Sequence, residues 1–421
     1  MRILFVSNFY PPSQHGLGYM QLCEEVADGL ANRGHAVAVL TSTYSDGEEL
    51  RRSYPVYRLL PIDPDFPSGR PIAQQFFLGR RGREKKAVAD LRRLVDEFTP
   101  EILFVWHAIG LPKIMLEEAE SWARPVVVYY LADYQPEIGD EYLDYWNRES
   151  YQSLAVYTKR PLSALARNML AREGKPIRLK YENTICVSGY VRQRLVAGGF
   201  IPESSAVIHN GVDLSLFTIN GAKSGWRADD KLRFIVAGRV LPIKGVHTIV
   251  EAFASLTERP ELDKLSLTIL GDGPADYIER LKRFTSEQGL EKVIQFQEAV
   301  PRKDMPHVLS RYDGLILASE YDEPLARAIQ EAMAMELLVV GTVTGGSGEL
   351  LVNENTGLVF RAGDPHSLAD QLIKAVQEPD LVNRLRKAGR NEVEDNFTIQ
   401  NTVSQVEEYL LDCLNRQPMV K

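Results

Sequence analysis

Short apolar runs alternate with helical repeats along the whole chain. In the first half, Ile3–Val6, Ala36–Leu40, Ile102–Val105, Val126–Tyr130 and Thr184–Val187 read as strands, apolar at consecutive positions and rich in β-branched residues. A parallel sheet covered on both faces requires such runs. Between them Leu22–Asn32, Glu84–Phe98 and Val191–Ala197 place apolar residues at helical spacing. The second half repeats the plan, with strands at Arg233–Ala237, Ser266–Leu270, Val293–Phe296, Gly314–Leu317 and Leu337–Val340. Helices are predicted near 245–256, 275–288, 303–311 and 324–335, then at 365–377 and 380–394, with a last amphipathic one over about 398–414. The pattern predicts an α/β chain of two doubly wound parallel sheets. Ligands of such sheets bind beyond the carboxyl ends of the strands. Two domains facing each other would therefore form an interdomain cleft, with those strand ends as site candidates.

The boundary is expected near 205–230, where turn-rich HNGVDLSLF (209–217) gives way to polar NGAKSGWRADD (220–230). Residues 131–182, rich in Tyr and acidic residues and then basic, read as an insertion of helices and loops that carries specificity.

Composition narrows the class. A chain of 421 residues with 44% apolar and 25% charged residues suits a globular protein of two domains. A net charge of −8 argues against nucleic acid as a partner. The three cysteines, Cys23, Cys186 and Cys413, are far apart, which argues against a disulfide framework or a zinc site and fits a reducing, cytoplasmic setting. MRILFVSNFYPP has too short an apolar run for a signal peptide and reads as a first buried strand. No run reaches the roughly 18 residues of a membrane span.

Two features carry candidate chemistry. Glu323 and Glu331 lie eight residues apart in SEYDEPLARAIQEAMA, which puts them roughly on one face if a helix begins near Pro324. Gly238-Arg239 and Lys244-Gly245 supply the opposite charge, Arg239 closing a strand and Lys244 opening the next helix. The plainer readings are a solvated basic turn and an acidic helix start favoured by the helix dipole. Asp63-Pro64-Asp65 imitates a metal-binding Asp-x-Asp, but its proline-rich loop favours a structural reading, and Gly271-Asp272-Gly273-Pro274 reads as a strand-to-helix turn. The basic run Arg80, Arg81, Arg83, Lys85, Lys86, Arg92 and Arg93 reads first as a solvated helix face. Its alternative is peripheral contact of Arg80–Arg93 with the inner face of a membrane.

These motifs, in order, resemble the family 4 glycosyltransferases, retaining enzymes of the GT-B fold. The resemblance rests on FYPPSQHGLGYMQLCEEVADGLANRGHAVAVLTS, CVSGYVRQRL, VIHNGVDLSLF, AGRVLPIKGVHTIVEAF, LTILGDGP, the Glu323–Glu331 segment and TGGSGELLVNENTGLVF. It implies an acceptor-binding Rossmann-like domain over 1–205, a nucleotide-sugar-binding one over 206–396, and a helix over 397–421 that crosses back to the first. It implies a nucleotide-diphosphate sugar as co-substrate, a UDP-sugar favoured and GDP or ADP open, with no cofactor and no metal.

Residue by residue, the resemblance assigns the diphosphate to Arg239 and Lys244, with Gly238 beside them, and the ribose hydroxyls to Glu331. A carboxylate suits a diol because it only accepts. Glu323 is placed near the donor sugar, and Arg327 among the donor-binding residues. His107, at a strand end, would meet the sugar or its developing charge, the alternative being a structural histidine. Asp133 and Tyr134 are acceptor-side candidates; His35 and His209 fit structural roles. The chain departs from the family in two places. Leu325-Ala326 stands where Phe-Gly is usual, which would alter sugar preference, and Leu17 separates Gly16 and Gly18, whose amides would approach the pyrophosphate. A nucleotide-sugar epimerase and a non-catalytic sugar-nucleotide-binding module remain as alternatives. Acceptor, sugar and base stay open.

Overall fold

The computed structural model describes residues 1–13, 17–48, 50–64, 70–148, 155–219 and 231–416, leaving aside the side chains of Leu17 and of 155–160. Gly16 and Asp65 lie outside the described residues. The chain divides into two compact units. One holds Met1–Val187, Val191–Ile208 and residues from Val403 on; the other holds Ser188–Tyr190 and His209–Thr402.

The first unit contains β1 (Arg2–Ser7), α1 (Leu17–Asn32), β2 (Ala36–Ser42), β3 (Val56–Leu60), α2 (Ile72–Leu78), α3 (Arg80–Phe98) and β4 (Ile102–His107). It continues through α4 (Lys113–Glu120), β5 (Val126–Leu131), α5 (Glu141–Asn147), α6 (Ala155–Arg172), β6 (Thr184–Cys186), most of α7 (Gly189–Ala197) and β7 (Ala206–Val207). Its strands form one parallel sheet in the order β3-β2-β1-β4-β5-β6-β7. Ile3–Val6 and Ile102–Trp106 are fully buried, as central strands covered on both faces must be. Trp106 stacks on Tyr130 with centroids 4.2 Å apart.

The second unit runs through β8 (Leu232–Ala237), α8 (Val246–Ala254), β9 (Leu265–Leu270), α9 (Ala275–Glu287), β10 (Ile294–Gln297), α10 (Met305–Leu309), β11 (Gly314–Leu317) and α11 (Arg327–Ala334). β12 (Leu338–Gly341), β13 (Leu358–Val359), α12 (Pro365–Gln377) and α13 (Pro379–Asn396) follow. Its parallel sheet has the order β10-β9-β8-β11-β12-β13. α14 (Ile399–Asn415) begins in this unit, where Thr402 Oγ1 donates to His209 O at 2.9 Å. From Val403 it belongs to the first unit, where Glu407 pairs with Arg33 at 2.6 Å and Tyr409 donates to Thr184 O at 3.3 Å.

Each sheet changes its direction of winding once, between β1 and β4 and between β8 and β11. The carboxyl ends of those strands are where an open sheet leaves a crevice for ligands.

The predicted strands are all present. β3, β7 and β13 were not predicted, because β3 is a half-exposed edge strand carrying Arg58 and the other two have two residues each. The expected start of α11 at Pro324 is corrected to Arg327. The Glu323 and Pro324 carbonyls accept from Gly346 N at 2.7 Å and Ser188 Oγ at 2.6 Å, so their backbone is spent on tertiary contacts before the helix begins. The helix predicted at 303–311 is a 3₁₀ turn, Arg302–Asp304, followed by α10.

Candidate active site

At the switch point of the second unit, the loop leaving β8 passes through Gly238 (φ 139°) and Arg239 to a 3₁₀ turn at Pro242–Lys244. Gly245 (φ 62°) ends that turn and opens α8. It lies so close to the end of β11 that a Cβ would stand 2.0 Å from Ala318 O, so only glycine fits. Glu320 N donates to Ile243 O at 3.0 Å, tying the two loops together. This brings Lys244 onto Glu323, whose Oε1 it contacts through Nζ. The pair is sheltered but open, with side chains 24% and 10% exposed. Gly345 (φ 61°) and Gly346 press the following loop onto the Glu323-Pro324 backbone from the other side.

Arg239 is exposed, and its guanidinium has no partner among the described residues. Lys244 and Glu323 thus pair at the ends of β8 and β11, and Arg239 stands on the loop that leads from β8 to Lys244, a placement of cations that suits an anion. Glu331, on α11, is engaged separately: Arg302 Nη1 lies 2.5 Å from its Oε1 and Arg327 Nε 3.9 Å from the same oxygen. The two glutamates therefore do not act as one pair. Leu325 and Ala326 are both buried, so these side chains pack into the unit.

The first unit builds a second polar group at its own switch point. His107 ends β4, and its carbonyl accepts from Asn8 N, just beyond β1, at 2.8 Å. The imidazole is buried, stacked on Tyr19 with centroids 3.9 Å apart, and its Nε2 lies 2.8 Å from Asp133 Oδ2. Asp133 Oδ1 accepts from Gln135 N at 2.9 Å, and Tyr19 donates to Asn8 Oδ1 at 3.0 Å. Burial works to raise the Asp133 carboxyl, but His107 and the Gln135 amide outweigh it and hold it below the usual carboxylate range. Burial raises the Tyr19 phenol. His107 Nδ1 is buried with no partner among the described residues.

Gly18 opens the first turn of α1. Tyr134 is buried, with the Arg194 guanidinium 4.2 Å from its ring centroid. Arg302, Asn8, Tyr19 and Gln135 escaped the sequence reading. Asn8 had one signal, its place just after the first strand; Tyr19, in the first turn of α1, and Arg302, which meets Glu331 from 29 residues away, had none.

The remaining candidates have structural partners. Asp63 Oδ1 accepts from Arg83 at 2.6 Å and from Tyr142 at 2.9 Å. Much of the basic run is neutralised within the unit: Arg80 and Arg81 on Glu173, Arg83 on Asp63, Lys86 on Asp90 and Arg92 on Glu118. His209 pairs with Glu349 at 2.7 Å and His35 with Glu407 at 2.5 Å. Among the described residues, no three His, Cys, Asp or Glu are grouped to hold a metal ion. No described helix is long and apolar enough to cross a membrane.

Comparison with known proteins gives these groups a family. The model described as "Glycosyl transferases group 1" matches residues 221–392, and "Glycosyltransferase Family 4" matches residues 20–216. The chain is 27% identical over 261 residues to "Putative glycosyltransferase YtcC" of Bacillus subtilis, covering 57% of this chain and 62% of that one. The chain thus spans about three fifths of the length of that relative. A mycobacterial relative from Mycobacterium tuberculosis, "GDP-mannose-dependent alpha-(1-6)-phosphatidylinositol monomannoside mannosyltransferase", is 26% identical over 423 residues, 97% of this chain and 98% of that one. The crystal structure of Anabaena Alr3699/HepE in complex with UDP superposes with a TM-score of 0.66 at 19% identity, covering 98% of this chain and 100% of that one. With two Rossmann-like units wound alike and the two family matches lying end to end, the chain belongs to the family 4 glycosyltransferases of the GT-B fold.

Proposed function

We propose that the protein is a retaining glycosyltransferase that moves a sugar from a nucleotide-diphosphate sugar, a UDP-sugar by preference, to a hydroxyl acceptor. The observation that carries this reading is the Lys244–Glu323 pair at the second switch point, on the loop that also carries Arg239, whose guanidinium has no partner among the described residues. Breaking the sugar–phosphate bond gathers negative charge on the leaving diphosphate. Cations already in place stabilise that charge as it forms, with little reorganisation. Arg239 and Lys244 hold the diphosphate with the Gly238 backbone, Glu331 takes the ribose, and Arg327 supports Glu331. Glu323 orients Lys244 and the donor sugar beside Leu325-Ala326.

The first unit supplies the acceptor side. His107, held by Asp133, serves the sugar or its developing charge. Asp133 thereby becomes a support for His107 rather than a free base, and Tyr134 a wall beneath Arg194. Gly18, in the first turn of α1 rather than in a loop, and Gly16 are assigned to the pyrophosphate. Front-face transfer needs no protein nucleophile. Arg239 and Lys244 supply the positive charge a resident metal would otherwise bring, and a cytoplasmic site of action fits the buried free cysteines. UDP in the Anabaena structure supports the nucleotide class; the mycobacterial relative keeps GDP open.

The test is release of UDP or GDP from a panel of nucleotide sugars with simple glycosides as acceptors. Lys244→Ala or Arg239→Ala should each lower turnover by roughly 10²–10³, as removal of one oxyanion donor does. Wild-type turnover in the double variant would overturn the reading. A sugar epimerised without an acceptor would favour the epimerase instead.

A further inference from the structure

We infer that Glu141 and Tyr181 form an acceptor subsite that takes one hydroxyl of a neutral glycoside or polyol; this rests on the transferase reading above and names the acceptor class it leaves open. Beside His107 the first unit has a small recess, walled by Ala108, Ile109, Lys113, Gln135, Glu141 and Tyr181 among others. Ala108 and Ile109 follow directly on His107, the last residue of β4. Gln135 is a shared wall. Its backbone N donates to Asp133 Oδ1 at 2.9 Å, and its Oε1 accepts from Ala108 N at 2.8 Å. The recess therefore adjoins the His107–Asp133 pair. At about 10 Å³ it holds one water-sized group, the tip of an acceptor rather than a whole sugar ring.

Both residues come from the segment between β5 and β6, and both are fixed. Asp140 caps α5 by accepting from Leu143 N at 2.9 Å, which sets Glu141 in the first turn. Glu141 Oε1 accepts from Gly110 N at 3.1 Å, and Tyr142, the next residue, donates to Asp63 Oδ1 at 2.9 Å. A carboxylate accepts about four hydrogen bonds, so Glu141 keeps capacity for a ligand. Tyr181 has a left-handed backbone (φ 52°), uncommon for a bulky residue. It is held there by Glu120, which accepts from Lys180 N at 2.9 Å and Tyr181 N at 3.2 Å, and by Thr184 Oγ1, which donates to Tyr181 O at 2.7 Å. Strain maintained in this way collects at ligand sites. The Tyr181 hydroxyl has no hydrogen-bond partner among the described residues. Burial and the charges of Glu120 and Asp133 raise the phenol, so it keeps its proton and can donate.

Charge selects the ligand. Glu141 opposes a phosphate or carboxylate, and the Lys113 ammonium that could attract one is already bonded to Ile138 O and Gly139 O at 2.8 Å each. The same ammonium opposes a cation, since its field reaches Glu141 and works against the burial that raises that carboxyl. A hydroxyl fits both groups, donating to Glu141 and accepting from Tyr181.

The experiment is initial-rate transfer by the full chain to the methyl glycosides of glucose, galactose and mannose, to their 2-amino and 6-phosphate counterparts, and to the monodeoxy forms of the best acceptor. One monodeoxy form should raise the acceptor KM of wild type about tenfold or more, the value of a hydrogen bond to a charged group. Glu141→Gln should raise the KM of the parent acceptor by a similar factor and reduce the penalty for that deoxy form to below about threefold. Tyr181→Phe should act in the same direction, by about three- to tenfold. Glu141→Gln keeps an acceptor for Gly110 N and Tyr181→Phe keeps the ring; should one fail to fold, the other is read by the same ratio. A deoxy penalty that survives in the variants overturns the inference, as does a wild type for which no single hydroxyl matters. Preference for the amino or phosphate forms, or transfer to none of the neutral glycosides, overturns it too. In all of these cases release of UDP or GDP from a nucleotide sugar, to water or to another acceptor, leaves the transferase reading standing. No release from any donor overturns that reading, and this inference with it.

Discussion

Lys244 is held by the same carboxylate that would stand beside its ligand. An arriving diphosphate must share Lys244 with Glu323 or displace it, and the pair's low exposure makes that competition strong. Glu323→Gln should therefore bind UDP about three- to tenfold tighter while turnover falls by about tenfold or more. Parallel loss of affinity and turnover would show that Glu323 helps hold the diphosphate. A second prediction concerns Asp133. His107 and the Gln135 amide hold its carboxyl below the usual range, so ionised Asp133 stabilises the fold above about pH 4. That contribution disappears as pH falls through its depressed value. The melting-temperature gap between wild type and Asp133→Asn should thus be present near neutrality and shrink below about pH 4. A gap that widens on acidification would contradict the assignment. At this scale the sequence showed which residues carry charge at strand ends, Arg239, Lys244 and His107 among them. It could not show Arg302 on Glu331, because a pairing over 29 positions is a product of the fold and leaves no local period.

Among the elements, the turns around the switch points matter more than the helices. Gly245 has a left-handed backbone and almost touches Ala318 O. Gly245→Ala must strain the backbone or part the two loops, which would pull Lys244 from Glu323. A cost of about 1–3 kcal/mol in stability is expected, read as a fall in melting temperature, together with a loss of turnover larger than that fall explains. A variant that melts like wild type and transfers normally would show that the loop contact is dispensable. Long periodic helices and continuous apolar strands were legible from the chain, as α12 shows by matching its predicted span of 365–377. The start of α11 was not. Proline's preference for a first helical position pointed to Pro324, but contacts with Gly346 and Ser188 decided otherwise. Local preference loses there to tertiary hydrogen bonding.

For the molecule as a whole, two cores mean two places where stability can be read. Ile249 is buried in the core of the second unit and Leu103 in that of the first. Ile249→Ala and Leu103→Ala should each cost about 2–5 kcal/mol and mark the unfolding of its own unit. UDP should raise the transition that Ile249→Ala lowers, by about 2.7 kcal/mol at a hundred times its Kd. A rise confined to the transition that Leu103→Ala lowers would place the nucleotide in the first unit instead. The most direct measurement is calorimetric titration of UDP and GDP into the wild type and into the folded Arg239→Ala, Lys244→Ala double variant. One of the two nucleotides should bind the wild type, and the double variant should bind it about a hundredfold more weakly or worse. Equal affinity in the two proteins would show that the diphosphate is held elsewhere.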